Sequence, residues 1–198
     1  MKRFKIAFWI SVVVLAAAGC KNQPESNSLT EAEKAAYLEK GKGIAAATFT
    51  VLSGNLTSAL EKGGVSNAVQ YCNLAAMPLT DSLSGANHAV IRRTSLKVRN
   101  PQNSPSEWER AALLAFEKQD QAGEELKPVV RLLDGQRVAF AAPIRVMPLC
   151  TKCHGKEGET MNAADAQVIR SLYPQDQATG YAEGDLRGMW SIVFTREQ

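Results

Sequence analysis

Apolar residues recur along this 198-residue chain first at a helical period and later at an alternating one. Thr30 and Glu33 have the spacing of a capping box, and an apolar stripe continues through Phe49, Leu52, Leu56 and Leu60 until Gly63 and Gly64 stop it. The spacing predicts a long N-terminal helix, weakened inside by Gly41, Gly43 and Gly54, each costing about 1 kcal/mol relative to Ala. A second helix opens at Ser66 and puts Val65, Val69, Cys72 and Ala76 on one apolar face, so Cys72 points inward. Val90, Thr94, Leu96 and Val98 then alternate with Arg93, Ser95, Lys97 and Arg99, the pattern of a half-buried strand. Asn100, Pro101 and Asn103 form a turn after it. Ser104 with Glu107, and Pro105 at the first helical position, predict another helix carrying Trp108, Ala112, Ala115 and Phe116. Val129 to Leu133 and Arg137 to Met147 flank Asp134-Gly135 as a hairpin, and Asp185 to Thr195 forms a last strand. Helices followed by an antiparallel sheet predict an α+β domain.

The pattern upstream of Thr30 is of another kind. Lys2, Arg3 and Lys5 precede an apolar run from Ile6 to Ala18, which makes residues 1–19 a signal peptide. That run is shorter than the roughly 20 residues a membrane-spanning helix needs, and no later apolar run approaches that length. Ala17-Ala18-Gly19-Cys20 resembles a bacterial lipobox with Cys20 as the lipidated residue, although Ala16-Ala17-Ala18 also suits an ordinary signal peptidase. The expected product is a lipoprotein on the periplasmic side, with residues 20–29 as a tether and 30–198 as the domain. Lys21 favours the outer membrane where the cell has one, and a soluble periplasmic protein is the alternative. Losing Lys2, Arg3 and Lys5 with the leader removes the formal charge of +3, bringing the 23 basic residues level with the 20 acidic ones. A neutral domain has no electrostatic reason to bind nucleic acid, and its only expected membrane contact is the lipid.

Cys150-Thr151-Lys152-Cys153-His154 is the attachment signature of a c-type haem. Each thiol can add across one haem vinyl group, and the adjacent imidazole can ligate the iron from one face. A redox disulfide needs no His, and a zinc site normally needs a second ligand pair, which the sequence does not supply. With Cys20 lipidated and Cys150 and Cys153 in thioethers, Cys72 is left without a partner in an oxidising compartment. It is either a small buried hydrophobe or the second iron ligand. Other candidates for that position are His88 and Met77, Met147, Met161 and Met189. His88 lies in a turn-like surface run, Met161 follows a Gly- and charge-rich loop that looks solvent-facing, and Met147 is placed to pack beside a porphyrin without ligating it. Arg93, Arg99 and Arg145 are candidate partners for the two haem propionates, with an exposed strand face as the alternative for each. Trp108, Trp190, Tyr71 and Tyr173 are expected to pack in the core or the haem pocket.

Three segments together resemble a family of bacterial single-haem c-type proteins with a PAS-like fold, long catalogued as a domain of unknown function. They are Gln70-Tyr71-Cys72-Asn73, the run from Arg93 through Arg99-Asn100-Pro101-Gln102-Asn103-Ser104-Pro105, and Cys150 to Gly155 followed by Tyr173-Pro174 and Gly180 to Gly188. The resemblance spans Thr30 to the C-terminus and implies a PAS-like antiparallel sheet, with His154 and Cys72 as the two axial ligands of one covalent haem. His154 stands only 44 residues from the C-terminus, which fits small helical cytochromes poorly.

A thiolate and an imidazole make iron six-coordinate and favour Fe(III), so the expected function is redox sensing or low-potential electron transfer with a separate redox partner or sensor protein. Loss of the Cys72 sulfur on reduction would turn one electron into a movement. The alternatives are a haem enzyme of peroxidase or small-oxide-reductase type, for which no acid or base is evident, and a non-haem periplasmic binding module with a Cys150–Cys153 disulfide.

Overall fold

The computed structural model describes residues 28–197. The leader, Cys20 and the tether up to residue 27 lie outside the described residues. Thr30 caps α1 (Glu31–Ala86) as expected: its hydroxyl accepts from the Glu33 N–H at 3.2 Å, and the Glu33 carboxylate accepts from the Thr30 N–H at 2.7 Å. Leu29, just ahead of the cap, is buried in the core.

The glycine pair divides α1 into two arms. Gly63 (φ −170°, ψ 30°) and Gly64 (φ 65°, ψ −161°) are not helical, and the second is a left-handed conformation that favours glycine. Two side-chain bonds then tie residues placed almost symmetrically about the break: Asn67 Nδ2 donates to the Ala59 carbonyl at 2.7 Å, and the Tyr71 hydroxyl donates to Asn55 Oδ1 at 3.0 Å. At 1.5 Å rise per residue, Asn55 and Tyr71 each lie about 12 Å from the break, so their side chains meet only because the arms close to an acute angle. The run predicted as two helices is therefore an αα-hairpin.

Four antiparallel strands form one sheet in the order β1-β4-β3-β2: β1 (Ala89–Thr94), β2 (Val129–Asp134), β3 (Arg137–Arg145) and β4 (Leu186–Thr195). The first arm of α1 covers one face, where Tyr37, Ile44 and Ala45 pack with Ile91, Phe140, Trp190, Ile192 and Phe194. Helix α2 (Glu107–Gln121) covers the other with Leu113 and Phe116 against Ala141 and Met189. The α+β architecture is the expected one. By length and composition α1 alone, among the described residues, would suffice to cross a membrane, but its Tyr37, Ile44, Ala45 and Thr48 stripe is buried within the domain.

Two boundaries and the placement of one side chain differ from the pattern. β1 ends at Thr94 instead of running to Val98, because the Ser95 hydroxyl accepts from the Lys97 N–H and turns the chain away from the sheet. The cap of α2 is Ser106 with Glu109, not Ser104 with Glu107: Ser106 N and Oγ both donate to Glu109 Oε2 (2.7 and 2.9 Å). Both registers satisfy the local pattern, and the observed one puts buried Glu109 against Arg92 at 3.0 Å. Met161, expected in solvent, is 3% exposed, because the loop closes on itself through the Gly158 N–H to Met161 carbonyl bond and turns the side chain inward.

Gly41 faces the Phe140 ring so closely that an added Cβ would lie 2.3 Å from it, whereas Gly43 has open space. Gly41→Ala should destabilise the fold by about 1–3 kcal/mol through overpacking, while Gly43→Ala should stabilise it by about 0.5–1 kcal/mol through helix propensity; urea denaturation distinguishes the signs. Glu33 is held down to about 2 by the Thr30 N–H and then by Arg196, whose guanidinium reaches it at 2.8 Å. Its contribution is complete above the ordinary carboxylate range and is lost as pH falls through about 2. The stability difference between the parent and Glu33→Gln should therefore be full at pH 7 and shrink as pH drops from about 4.5 to about 2.

Candidate functional site

Helix α3 (Pro148–His154) carries the Cys-x-x-Cys-His run, with Pro148 at its first position. One helical turn brings Cys150 and Cys153 to one side, and both thiols are free and half-buried. The His154 ring is clamped from outside the helix: Nδ1 lies 2.6 Å from the Ala178 carbonyl, and the His154 carbonyl accepts from the Tyr181 N–H. Bonding to a carbonyl makes Nδ1 the protonated nitrogen and leaves Nε2 with a free lone pair. Burial, then the charges of Arg99 and Arg187, hold the imidazole well below its usual range, so it is neutral at pH 7.

A buried ion pair fixes the strap that carries Ala178. Arg99 and Asp176 meet at 3.0 Å, with side chains 14% and 4% exposed. Asp176 also accepts from the Ala178 N–H at 2.7 Å, and Arg99 donates to the Cys153 carbonyl at 2.5 Å. The bend that ends β1 at Thr94 is what delivers Arg99 here, with the Gln177 N–H donating to the Val98 carbonyl beside it.

The second arm of α1 brings Cys72 to the same place. Its thiol is half-buried, on the inward face as the periodicity predicts, and lies near enough to Cys153, Arg93 and Tyr173 to shift their proton affinities. Burial pushes the Cys72 thiol up, opposed by Arg93 and Arg99. Burial pushes Cys153 up to about 11. Val65 and Val69 of the same arm pack with Cys153, Met161, Tyr173, and Ala166 and Ile169 of α4 (Ala163–Leu172).

The three arginines singled out by the sequence differ in state. Arg145 is paired with Asp120 of α2 at 2.5 Å and bonded to the Gly184 carbonyl, and Arg99 is committed to Asp176. The side chain of Arg93, whose backbone lies in the β1–β4 ladder opposite Trp190, has no carboxylate or hydrogen-bond partner among the described residues. Its guanidinium sits 5.9 Å from the Trp190 ring, burial lowers its proton affinity, and it lines a cavity of about 350 Å³ with Met77, Thr80, Asp81, Ser84 and Asn103. His88 is exposed at a positive φ of 49°, as a turn residue, and Met189 is buried on the opposite, α2 face of the sheet. Sequence reasoning missed Asp176, Ala178 and the charge of Arg187, which stacks over Tyr181 at 5.3 Å. The only signal for them was their place in or beside the Tyr173-Pro174 and Gly180 to Gly188 segments.

Comparison with known proteins places the fold in a family. The crystal structure of the cyanobacterial heme-protein Tll0287 matches at 25% sequence identity with a TM-score of 0.55, over 79% of this chain and 95% of that one. No curated protein matches. The Tll0287-like family model matches residues 23–195, which takes in every strand of the sheet, both arms of α1 and all of the thiols and the imidazole brought together here, so the chain belongs to the Tll0287-like family.

Proposed function

We propose that this chain is an exported haem protein that holds one haem c through Cys150 and Cys153, with His154 and Cys72 as the axial ligands. The observation that carries the reading is a pair of free thiols one helical turn apart, beside an imidazole whose Nδ1 is already committed and near a third thiol on another helix. That donor set fits a covalent haem: two thiols for the vinyl groups, Nε2 for one face of the iron and a sulfur for the other. Unpaired, desolvated Arg93 fits a propionate, a role for which Arg99 and Arg145 are less suited because carboxylates already meet them. The solved relative is itself described as a heme-protein.

Bound there, the group would supply one-electron Fe(III)/Fe(II) chemistry at low potential, since an anionic sulfur favours the ferric charge. The protein's part is orientation. Ala178 fixes the His154 tautomer, Asp176 and Arg99 hold Ala178, and the α1 hairpin presents Cys72. Redox sensing or electron transfer is the activity this suits, with a separate redox partner or sensor protein. The proposal includes anchoring on the periplasmic side through a lipid on Cys20.

Expression of the mature domain with a haem-attachment system tests it. The product should carry a chromophore that acid-acetone does not extract, with thiolate-type bands in the oxidised spectrum. Cys72→Ser should remove those bands and leave the covalent attachment intact. A colourless protein would overturn the proposal and leave a Cys-x-x-Cys binding module. Asp176→Asn should cost about 3–5 kcal/mol in urea denaturation by leaving Arg99 buried without its counter-charge.

A further inference from the structure

Cys72 stands on an arm joined to the rest of α1 by two non-helical glycines, so something besides the backbone must set where its thiol lies. The second arm uses two of its faces. Val65, Ala68, Val69 and Cys72 turn toward the site, with Ala68 and Val69 buried. Asn67 and Tyr71, four residues apart and so stacked on one side, turn toward the first arm, where Asn55 and Ala59 are also four apart. The result is a two-rung polar ladder bridging the hairpin. The rung formed by Asn67 satisfies a carbonyl in the last turn of the first arm. The rung formed by Tyr71 comes from the residue next to Cys72, lies about 12 Å from the glycine break, and so has the greater leverage over tilt.

We propose that the Tyr71–Asn55 hydrogen bond is a latch that positions Cys72, making Tyr71 and Asn55 positioning residues for the iron ligand. The proposal rests on the haem assignment for its functional meaning, but the latch itself is a property of the polypeptide. With the latch closed, the arm cannot swing about Gly63 and Gly64 without breaking a hydrogen bond. With it open, the thiol spends more time away from His154 and Cys153. The hydroxyl and the Asn55 amide are solvent-accessible, so opening exchanges one neutral bond for water and amounts to a factor of about 2 to 10 in the arm's equilibrium.

Two measurements test it. The first uses the full chain without haem, with Cys20, Cys150 and Cys153 replaced by Ser, and follows alkylation of Cys72 by iodoacetamide. Tyr71→Phe keeps the ring and loses only the hydroxyl. It should raise the alkylation rate about 2- to 10-fold, as should Asn55→Ala, and the double variant should be no faster than either single one. The second uses the haem-loaded protein reduced with dithionite and titrated with carbon monoxide, where Tyr71→Phe should raise the apparent affinity by the same factor while the oxidised spectrum stays that of the parent. Equal alkylation rates in parent and Tyr71→Phe, or independent multiplying effects of the two substitutions, would overturn the latch whatever the haem result. Faster alkylation of the Tyr71→Phe variant, together with failure of the chain with all its cysteines intact to take up haem, would uphold the latch and remove the haem assignment.

Discussion

The reversal of α1 at Gly63 and Gly64 is the constraint on which the site depends. A continuous helix of that length would carry Cys72 about 13 Å past the break and away from α3. A Cβ at residue 64 would be strained in the left-handed backbone that the turn requires, and one at residue 63 would lie 2.8 Å from the Asn67 Cβ. The same two residues that end the first arm thus choose which face of the second arm meets His154.

Charge is the second organising quantity. Three guanidinium groups, those of Arg93, Arg99 and Arg187, act on His154 together, and Asp176 is the buried carboxylate that answers them. Burying a cation without a counter-charge is costly, and Arg93 is where that cost is left unmet by any carboxylate of the described residues. The site is consequently electropositive around a neutral imidazole, and the charges of Arg93 and Arg99 oppose the burial that favours the protonated form of Cys72.

Local signals in the sequence were legible. The Thr30 cap, the glycine break, the inward face of Cys72 and the Asp134-Gly135 turn all follow from spacings of a few residues. What was not legible depends on partners distant in the chain. Ser104 and Ser106 offer equivalent caps until Arg92 meets Glu109, seventeen residues away. Periodicity could predict two helices but not the angle between them, at which Asn67 meets Ala59 and Tyr71 meets Asn55. The three candidate arginines look alike in sequence, and only the acidic side chains brought by α2 and the strap separate them.

The two ends of the described chain are fastened to each other. Arg196 reaches Glu33 and the Ser28 carbonyl, the Glu197 N–H donates to the Tyr37 hydroxyl, and Lys40 pairs with Glu197. The first arm runs from that clasp to the glycine break, and Cys72 folds back to the level of Asn55, roughly 37 Å along it at 1.5 Å per residue. The arm is thus a rigid spacer, which sets the thiol and imidazole at a fixed distance from the point where the described chain begins.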